Sequence, residues 1–106
     1  MIHLVASWLL VLGFAGAGVA NLIGAPATQR SFVRWGYPPW WGRVTGALEL
    51  VVAGLVALAA TRTAGLVLGA AIILAAIFTV VRHRDFGHLL PLGVFAVALG
   101  VALSTV

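Results

Sequence analysis

The sequence predicts an all-α fold: an integral membrane four-helix bundle with a short interfacial helix between its first and second spans. Of the 106 residues, 63% are hydrophobic and 8% are charged, whereas soluble domains carry roughly 25% charged residues. A soluble fold of this composition would have too little polar surface to cover itself. The apolar residues also fall into four runs of about 20 residues, which is the length that crosses a bilayer.

The four apolar runs are predicted to be spans of a single domain over residues 1–106. Helices are the economical structure for them, because lipid offers no partners to unpaired backbone groups. The first run is expected to be a retained span rather than a secretory signal, since nothing positive precedes it and it exceeds the usual apolar core of a signal. The predicted spans are approximately Leu4–Ile23, Arg43–Ala60, Ala64–Val81 and Leu89–Val106.

The connection between the first two spans is predicted to contain a helix that lies in the membrane surface. Pro26 suits the first turn of this helix. Arg30 and Arg34 are four residues apart and share one face, while Phe32 and Trp35 turn toward another.

An aromatic and proline-rich run, Tyr37–Trp41, follows the predicted interfacial helix. Its two adjacent prolines, Pro38 and Pro39, favour an extended backbone. Aromatic rings here are typical of headgroup depth. Trp40 and Trp41 are therefore expected to anchor the chain in the interface, and contact with a ligand is the alternative.

The arginines predict the orientation. Five of the six lie in or beside the first and third connections, and only Arg62 lies in the second. Basic residues stay on the cytoplasmic side, so both termini are predicted to face out. The bias toward alanine, glycine, valine and arginine without lysine suggests a bacterial protein, and hence a multi-pass protein of the inner membrane. The five arginines are Arg30, Arg34, Arg43, Arg82 and Arg84.

The composition also excludes several kinds of site. Without cysteine there is no disulfide framework, thiolate metal site or thiol redox chemistry. His83 and His88 are interpreted as solvated loop residues, so no haem or metal is expected. No phosphate-cradling glycine loop or nucleic-acid signature is found, and nucleic acid is not an expected partner. Redox chemistry would need a borrowed carrier, for which a quinone is the candidate cofactor.

Glu49 is the candidate catalytic residue. If the second helix begins near Trp40, the nine residues to Glu49 place its carboxyl about 13 Å deep, where ionisable side chains are costly and indicate function. Gly42, Gly46 and Ala53 share its helix face, and such small residues let a neighbouring helix approach. Glu49 should therefore point inward. No partner for a carboxylate is expected at its depth, which favours a neutral carboxyl able to donate a proton or hydrogen bond.

Four further residues are candidate ligand contacts. Thr45 lies one turn from Glu49 and is expected to orient it. Asn21 is expected at the level of Arg43, near the cytoplasmic end of the first span, where capping of the helix end is favoured over contact with a ligand. Arg43 and Trp40 mark the beginning of the second span. The alternative for Glu49 is a protonated side chain that only joins two helices.

Two small-residue motifs are suited to helix–helix contact. They are Gly42-x-x-x-Gly46 and Gly65-x-x-x-Gly69, and such motifs join helices within one chain or between chains. A homodimer or a partner membrane protein is therefore a candidate, besides the lipid bilayer.

Several motifs together carry a family resemblance. Phe14–Gly16 lies in the first span, Arg34–Trp40 and Thr45–Glu49 follow, and Arg82–Arg84 precedes Leu90 and Pro91. Over nearly its whole length the chain resembles the DoxX-like family of small four-helix bacterial membrane proteins. Asn21 stands where many relatives carry lysine. The resemblance implies an architecture rather than one activity, because some relatives are associated with quinone-linked or other membrane oxidoreductase complexes and others with maturation of partner proteins.

Two functions are compatible with these observations. In the first, the protein binds or acts on a lipophilic molecule, such as a quinone or a lipid, in an intramembrane pocket built around Glu49. In the second, it is an accessory subunit or assembly factor of a membrane oxidoreductase complex without its own catalysis. The second is favoured by the lack of a base, metal or nucleophile beside the single carboxyl.

Overall fold

The fold is all-α, as predicted. The computed structural model describes residues 1–38 and 40–106, and the regular structure in these ranges is helical. Short 3-10 turns lie at Ala59–Thr61 and Phe86–His88. The five α-helices are α1 (Ile2–Leu22), α2 (Pro26–Arg34), α3 (Trp41–Ala57), α4 (Arg62–Arg82) and α5 (Leu89–Ser104).

Three helical segments of the described chain are long and apolar enough to cross a membrane. They are α1, α4 together with the turn before it, and α5 together with the turn before it. α3 has 17 residues, fewer than the roughly 20 of a typical span. Three of the four predicted spans therefore correspond to helices that are long and apolar enough to cross a membrane, and α3 is shorter than the span predicted over Arg43–Ala60.

α3 ends earlier than predicted because the following turn caps it. Leu58 adopts an extended conformation, with φ −93° and ψ 126°. Thr61 Oγ1 donates to the Leu55 carbonyl at 2.7 Å, and Arg62 Nε donates to the Val56 carbonyl at 2.8 Å. The last carbonyls of a helix lack hydrogen-bond donors within the helix, and the side chains of Thr61 and Arg62 provide donors for two of them.

The helix predicted between the first two spans is confirmed as α2, which begins at Pro26. α1 ends before it at Leu22, and Gly24 then reverses the chain with a φ of +68°. The Ala25 amide then donates to the Ala20 carbonyl at 3.0 Å, which is the Schellman arrangement that closes many helices. Gly36 ends α2 with a φ of +85°. The position of α2 in the membrane surface stays a prediction.

The predicted extended run between α2 and α3 includes Pro39, which lies outside the described residues. On its far side, the Trp41 amide donates to the Pro38 carbonyl at 3.0 Å, and α3 begins at Trp41. Eight residues then separate Trp41 from Glu49, which places Glu49 about 12 Å along the helix axis.

The four longer helices contact one another in a closed order: α1 packs on α3, α3 on α4, α4 on α5, and α5 on α1. Their shared core is apolar. Phe14, Leu10, Val52 and Leu66 are fully buried in it, and the Phe14 ring meets Phe95 edge to face at 5.0 Å between centroids.

Small residues bring α1 and α3 into backbone contact. Gly42, Gly46, Glu49 and Ala53 are all buried, so the predicted helix face of small residues is confirmed. A Cβ added at Gly46 would lie 2.6 Å from the Gly18 carbonyl oxygen, a distance that leaves room only for hydrogen. The motif at 65–69 also makes contacts within the chain, to α1 and α3.

Candidate functional site: a cavity around Glu49

A cavity of about 850 Å³ lies between the helices on the side of the α4–α5 connection. Its volume falls in the range of roughly 300–1,000 Å³ that small-molecule sites occupy. α2 and the aromatic residues after it line one end. The walls include Ala17, Ala20 and Asn21 of α1, Thr45, Leu48 and Glu49 of α3, Ala71, Ala75, Ala76 and Thr79 of α4, and Leu92 and Phe95 of α5.

The cavity exists because α3 and α4 pack tightly over only part of their length. Near the α3–α4 turn, an added Cβ at Gly65 would lie 2.9 Å from the Val56 side chain, and one at Gly69 would lie 3.2 Å from Val52. Beyond these contacts, three of the six α4 residues that line the cavity are alanines, namely Ala71, Ala75 and Ala76, and their short side chains leave space between the helices.

Glu49 lies on the cavity wall and is 8% exposed. Asn21 Nδ2 donates a hydrogen bond to Glu49 Oε1. Two predictions are therefore wrong: a polar partner does lie at the depth of Glu49, and the Asn21 side chain does not cap α1. The contact of Gly18 with Gly46 brings the last turns of α1 close to α3, and the turn at Gly24 closes the helix instead.

The Asn21–Glu49 pair has hydrogen-bonding capacity to spare. Asn21 Oδ1 is buried and has no partner within the described chain, although buried polar atoms are normally paired. Likewise, no described side chain donates to Glu49 Oε2. The pair can therefore accept a further hydrogen bond at Asn21 Oδ1. Glu49 can also accept one at its free oxygen, or donate one when its carboxyl is protonated.

The other predicted site residues divide into one on the cavity wall and two outside it. Thr45 lines the cavity, but its hydroxyl donates to the Trp41 carbonyl at 2.9 Å. It does not orient Glu49 as expected, because a threonine within a helix readily bonds the carbonyl one turn back. Arg43 and Trp40 are exposed and are not among the described lining residues.

Trp41, for which ligand contact was the alternative to anchoring, lies on the cavity wall with Tyr37, which was not predicted as a site residue. Trp41 and Tyr37 stack with 5.1 Å between ring centroids and 9° between planes, and both line the cavity. The Tyr37 hydroxyl lies 2.8 Å from Thr79 Oγ1 and so links this corner to α4. Trp41 was detectable from the sequence, since Trp41, Thr45 and Glu49 follow at intervals of four and share one helix face.

Asp85 holds α2 at the mouth of the cavity. Arg34 forms an ion pair with Asp85 Oδ2, and Trp35 Nε1 donates to the same oxygen at 3.2 Å. His88, predicted to be a solvated loop residue, lines the cavity and meets the Trp35 ring edge to face at 5.3 Å. His83 is exposed, as expected for such a residue. The described residues contain no group of three or more His, Cys, Asp and Glu placed to hold a metal ion.

The electrostatics of Asp85 follow from these contacts. Partial burial acts to raise the pKa of Asp85, but the hydrogen bonds from Arg34 and Trp35 and the charges of His88 and Arg34 outweigh it. The pKa therefore lies below its ordinary value.

Acid is expected to weaken the attachment of α2. Because the pKa of Asp85 is lowered in the folded protein, its stabilising contribution is complete above the ordinary value of about 3.9 and is lost as the pH falls through the folded-state value. The melting temperature of the wild type should therefore fall more than that of Asp85→Asn between neutral and strongly acidic pH. An equal fall in both proteins would contradict this role of Asp85.

The comparisons with known proteins agree with this structure. The family model of the DoxX-like family matches residues 5–103, a range that extends from α1 into α5 and includes Asn21 and Glu49. No curated protein and no solved structure matches the chain. With its long apolar helices and this match over nearly its whole length, the chain is a small membrane protein that belongs to the DoxX-like family.

Proposed function

We propose that the protein binds a lipophilic molecule, such as a quinone or a lipid, in the cavity around Glu49. The observation that carries this proposal is the buried Asn21–Glu49 pair on the wall of an otherwise largely apolar cavity. Ligand sites typically combine apolar walls with a few polar groups that fix the orientation of the ligand. Such ionisable residues within membrane segments also tend to mark functional sites.

The hydrogen-bonding groups of the pair suit an oxygen-bearing ligand. A protonated Glu49 donates to a carbonyl oxygen, and the free Asn21 Oδ1 accepts from a hydroxyl group. A quinone offers the first of these groups and a quinol the second, so the two forms of one carrier match the two halves of the pair. A proton held by Glu49 would also be available for transfer to the ligand, which is the catalytic role proposed for this residue.

We infer that α3 crosses the membrane together with α1, α4 and α5. The ion pair of Arg34 with Asp85 puts the α1–α3 connection and the α4–α5 connection at the same end of the molecule. α4 has the length of a span and runs to that end, so its first residue lies at the other end. α3 joins these two ends and therefore has to traverse the same layer. Its 17 residues reach about 25 Å.

The proposed orientation puts the cavity mouth on the cytoplasmic side of the bacterial inner membrane and both termini outside. Five arginines lie at the mouth end of the chain, against Arg62 alone at the other, and arginine is retained in the cytoplasm. A C-terminal alkaline phosphatase fusion should therefore be active, and a C-terminal green fluorescent protein fusion should be dark. An inactive phosphatase fusion together with a fluorescent fusion would show that the protein has the opposite orientation in the membrane.

A cavity-filling substitution tests the proposed function. Ala76 lines the cavity on α4, whereas Leu74 on the same helix is 66% exposed and faces lipid. Decylubiquinone should raise the melting temperature of the wild type and of Leu74→Trp by mass action, but not that of Ala76→Trp. Equal shifts in all three proteins would place the ligand elsewhere. If neither decylubiquinone nor another lipophile stabilises the wild type, the accessory-subunit alternative is favoured.

A further inference from the structure

We propose that the ligand of this cavity is an amphiphile with an anionic head group, a carboxylate or a phosphate, and that Arg30 binds this head at the cavity mouth. This inference rests on the proposed lipophile site and, of the two ligands named there, favours an acidic lipid over the neutral quinone.

Arg30 has no acidic partner among the charged residues of the chain. The sequence has two acidic residues against six arginines. One acid, Asp85, is paired with Arg34, and the other, Glu49, is bonded to Asn21 deeper in the cavity. No acidic side chain therefore remains to neutralise Arg30. A guanidinium group forms its strongest contacts with carboxylates and phosphates, which it binds through two parallel hydrogen bonds.

Arg30 also lies where it can reach a ligand in the cavity. Arg30 belongs to α2, is exposed to solvent and lines the cavity, together with Ser31 and Thr28. The mouth thus combines a cation with small polar groups, and alanines form much of the wall farther in. Glu49 lies about 12 Å along α3 from its first residue. A lipid with its acidic head at α2, an apolar body along the alanines and a neutral oxygen, such as an ester carbonyl, near Glu49 matches this order.

Ordinary attraction of arginine to anionic lipid provides the competing explanation, and Arg82 supplies the control. Arg82 ends α4 at the same end of the molecule and is exposed, but it is not among the described residues that line the cavity. General attraction to head groups would act on both arginines, whereas the proposed site requires Arg30.

Three probes with the same 16-carbon chain test the inference: hexadecanoic acid, hexadecyl phosphate and hexadecanol. Their dissociation constants are measured for the purified wild type, Arg30→Gln and Arg82→Gln in a nonionic detergent. At least one of the two anions should bind the wild type and Arg82→Gln about tenfold more tightly than the alcohol, as expected for a hydrogen bond to a charged group. Arg30→Gln should lose this preference. If hexadecanoic acid binds more tightly than the alcohol, the ligand carries a carboxylate. If hexadecyl phosphate does, the ligand carries a phosphate.

Equal binding of both anions and the alcohol by the wild type would overturn the inference, as would an Arg30→Gln protein that keeps the preference. Binding of hexadecanol, which has no charged head group, tests the proposed lipophile site independently of Arg30. If no probe binds the wild type, or if Ala76→Trp binds the alcohol as tightly as the wild type does, the lipophile site itself is refuted.

Discussion

Replacing Gly46 with alanine is expected to lower the free energy of unfolding by about 1–3 kcal/mol, the usual cost of adding a methyl group to a packed interior. The new Cβ would lie 2.6 Å from the Gly18 carbonyl oxygen and 2.8 Å from the Leu22 amide nitrogen. Both are backbone atoms of α1, so no side-chain rotation relieves the clash and the two helices have to separate.

Gly54→Ala is the matched control, because Gly54 lies in the same helix and an added Cβ there meets nothing within 4 Å. This change should be neutral or stabilising by up to about 1 kcal/mol, since alanine favours helix more than glycine does. Reversible unfolding in mixed detergent micelles measures both variants. Equal stability of Gly46→Ala and Gly54→Ala would show that the close contact of α1 with α3 is not maintained.

The second large effect is expected at Glu49. Glu49→Ala removes the acceptor of the Asn21 hydrogen bond, and such a bond between membrane helices is worth roughly 0.6–2 kcal/mol. It also removes the carboxyl proposed to bind the ligand oxygen. The variant should therefore fold with modestly reduced stability and lose most of the increase in melting temperature that decylubiquinone gives the wild type.

Glu49→Gln separates hydrogen bonding from proton transfer. Glutamine keeps the size and hydrogen-bonding capacity of the side chain but has no acidic proton to give up. It should preserve folding and stabilisation by decylubiquinone, and it should abolish any turnover that depends on a proton from Glu49. If it leaves every measurable activity intact, the carboxyl is only a hydrogen-bonding group and its catalytic role has to be abandoned.

Hydropathy predicted the positions of the helices well, because long apolar runs in a chain with few charges have few other stable structures. It extended α3 beyond Ala57, because the end of this helix is determined by side-chain bonds from Thr61 and Arg62. A hydropathy average does not detect such hydrogen bonds, because it registers only how apolar each residue is. The face of small residues around Glu49 was likewise predictable, since it depends on spacing within a single helix.

The contacts between helices were less accessible to sequence reasoning. The bond between Asn21 and Glu49 depends on the register of α1 against α3, which the contact at Gly46 determines. Counting residues from the membrane surface placed Asn21 at the level of Arg43 instead. The ion pair of Asp85 with a residue 51 positions earlier in the chain has no periodic signature at all.

Photolabelling with an alkyl benzophenone, itself a lipophilic carbonyl compound, tests most directly whether the cavity binds such a ligand. In wild-type protein in membranes, adducts should concentrate on cavity-lining residues such as Thr45 and Ala76 and should decrease when decylubiquinone is added in excess. Adducts spread over exposed hydrophobic residues outside the cavity, such as Val67 and Leu74, without protection by the quinone, would contradict binding in the cavity.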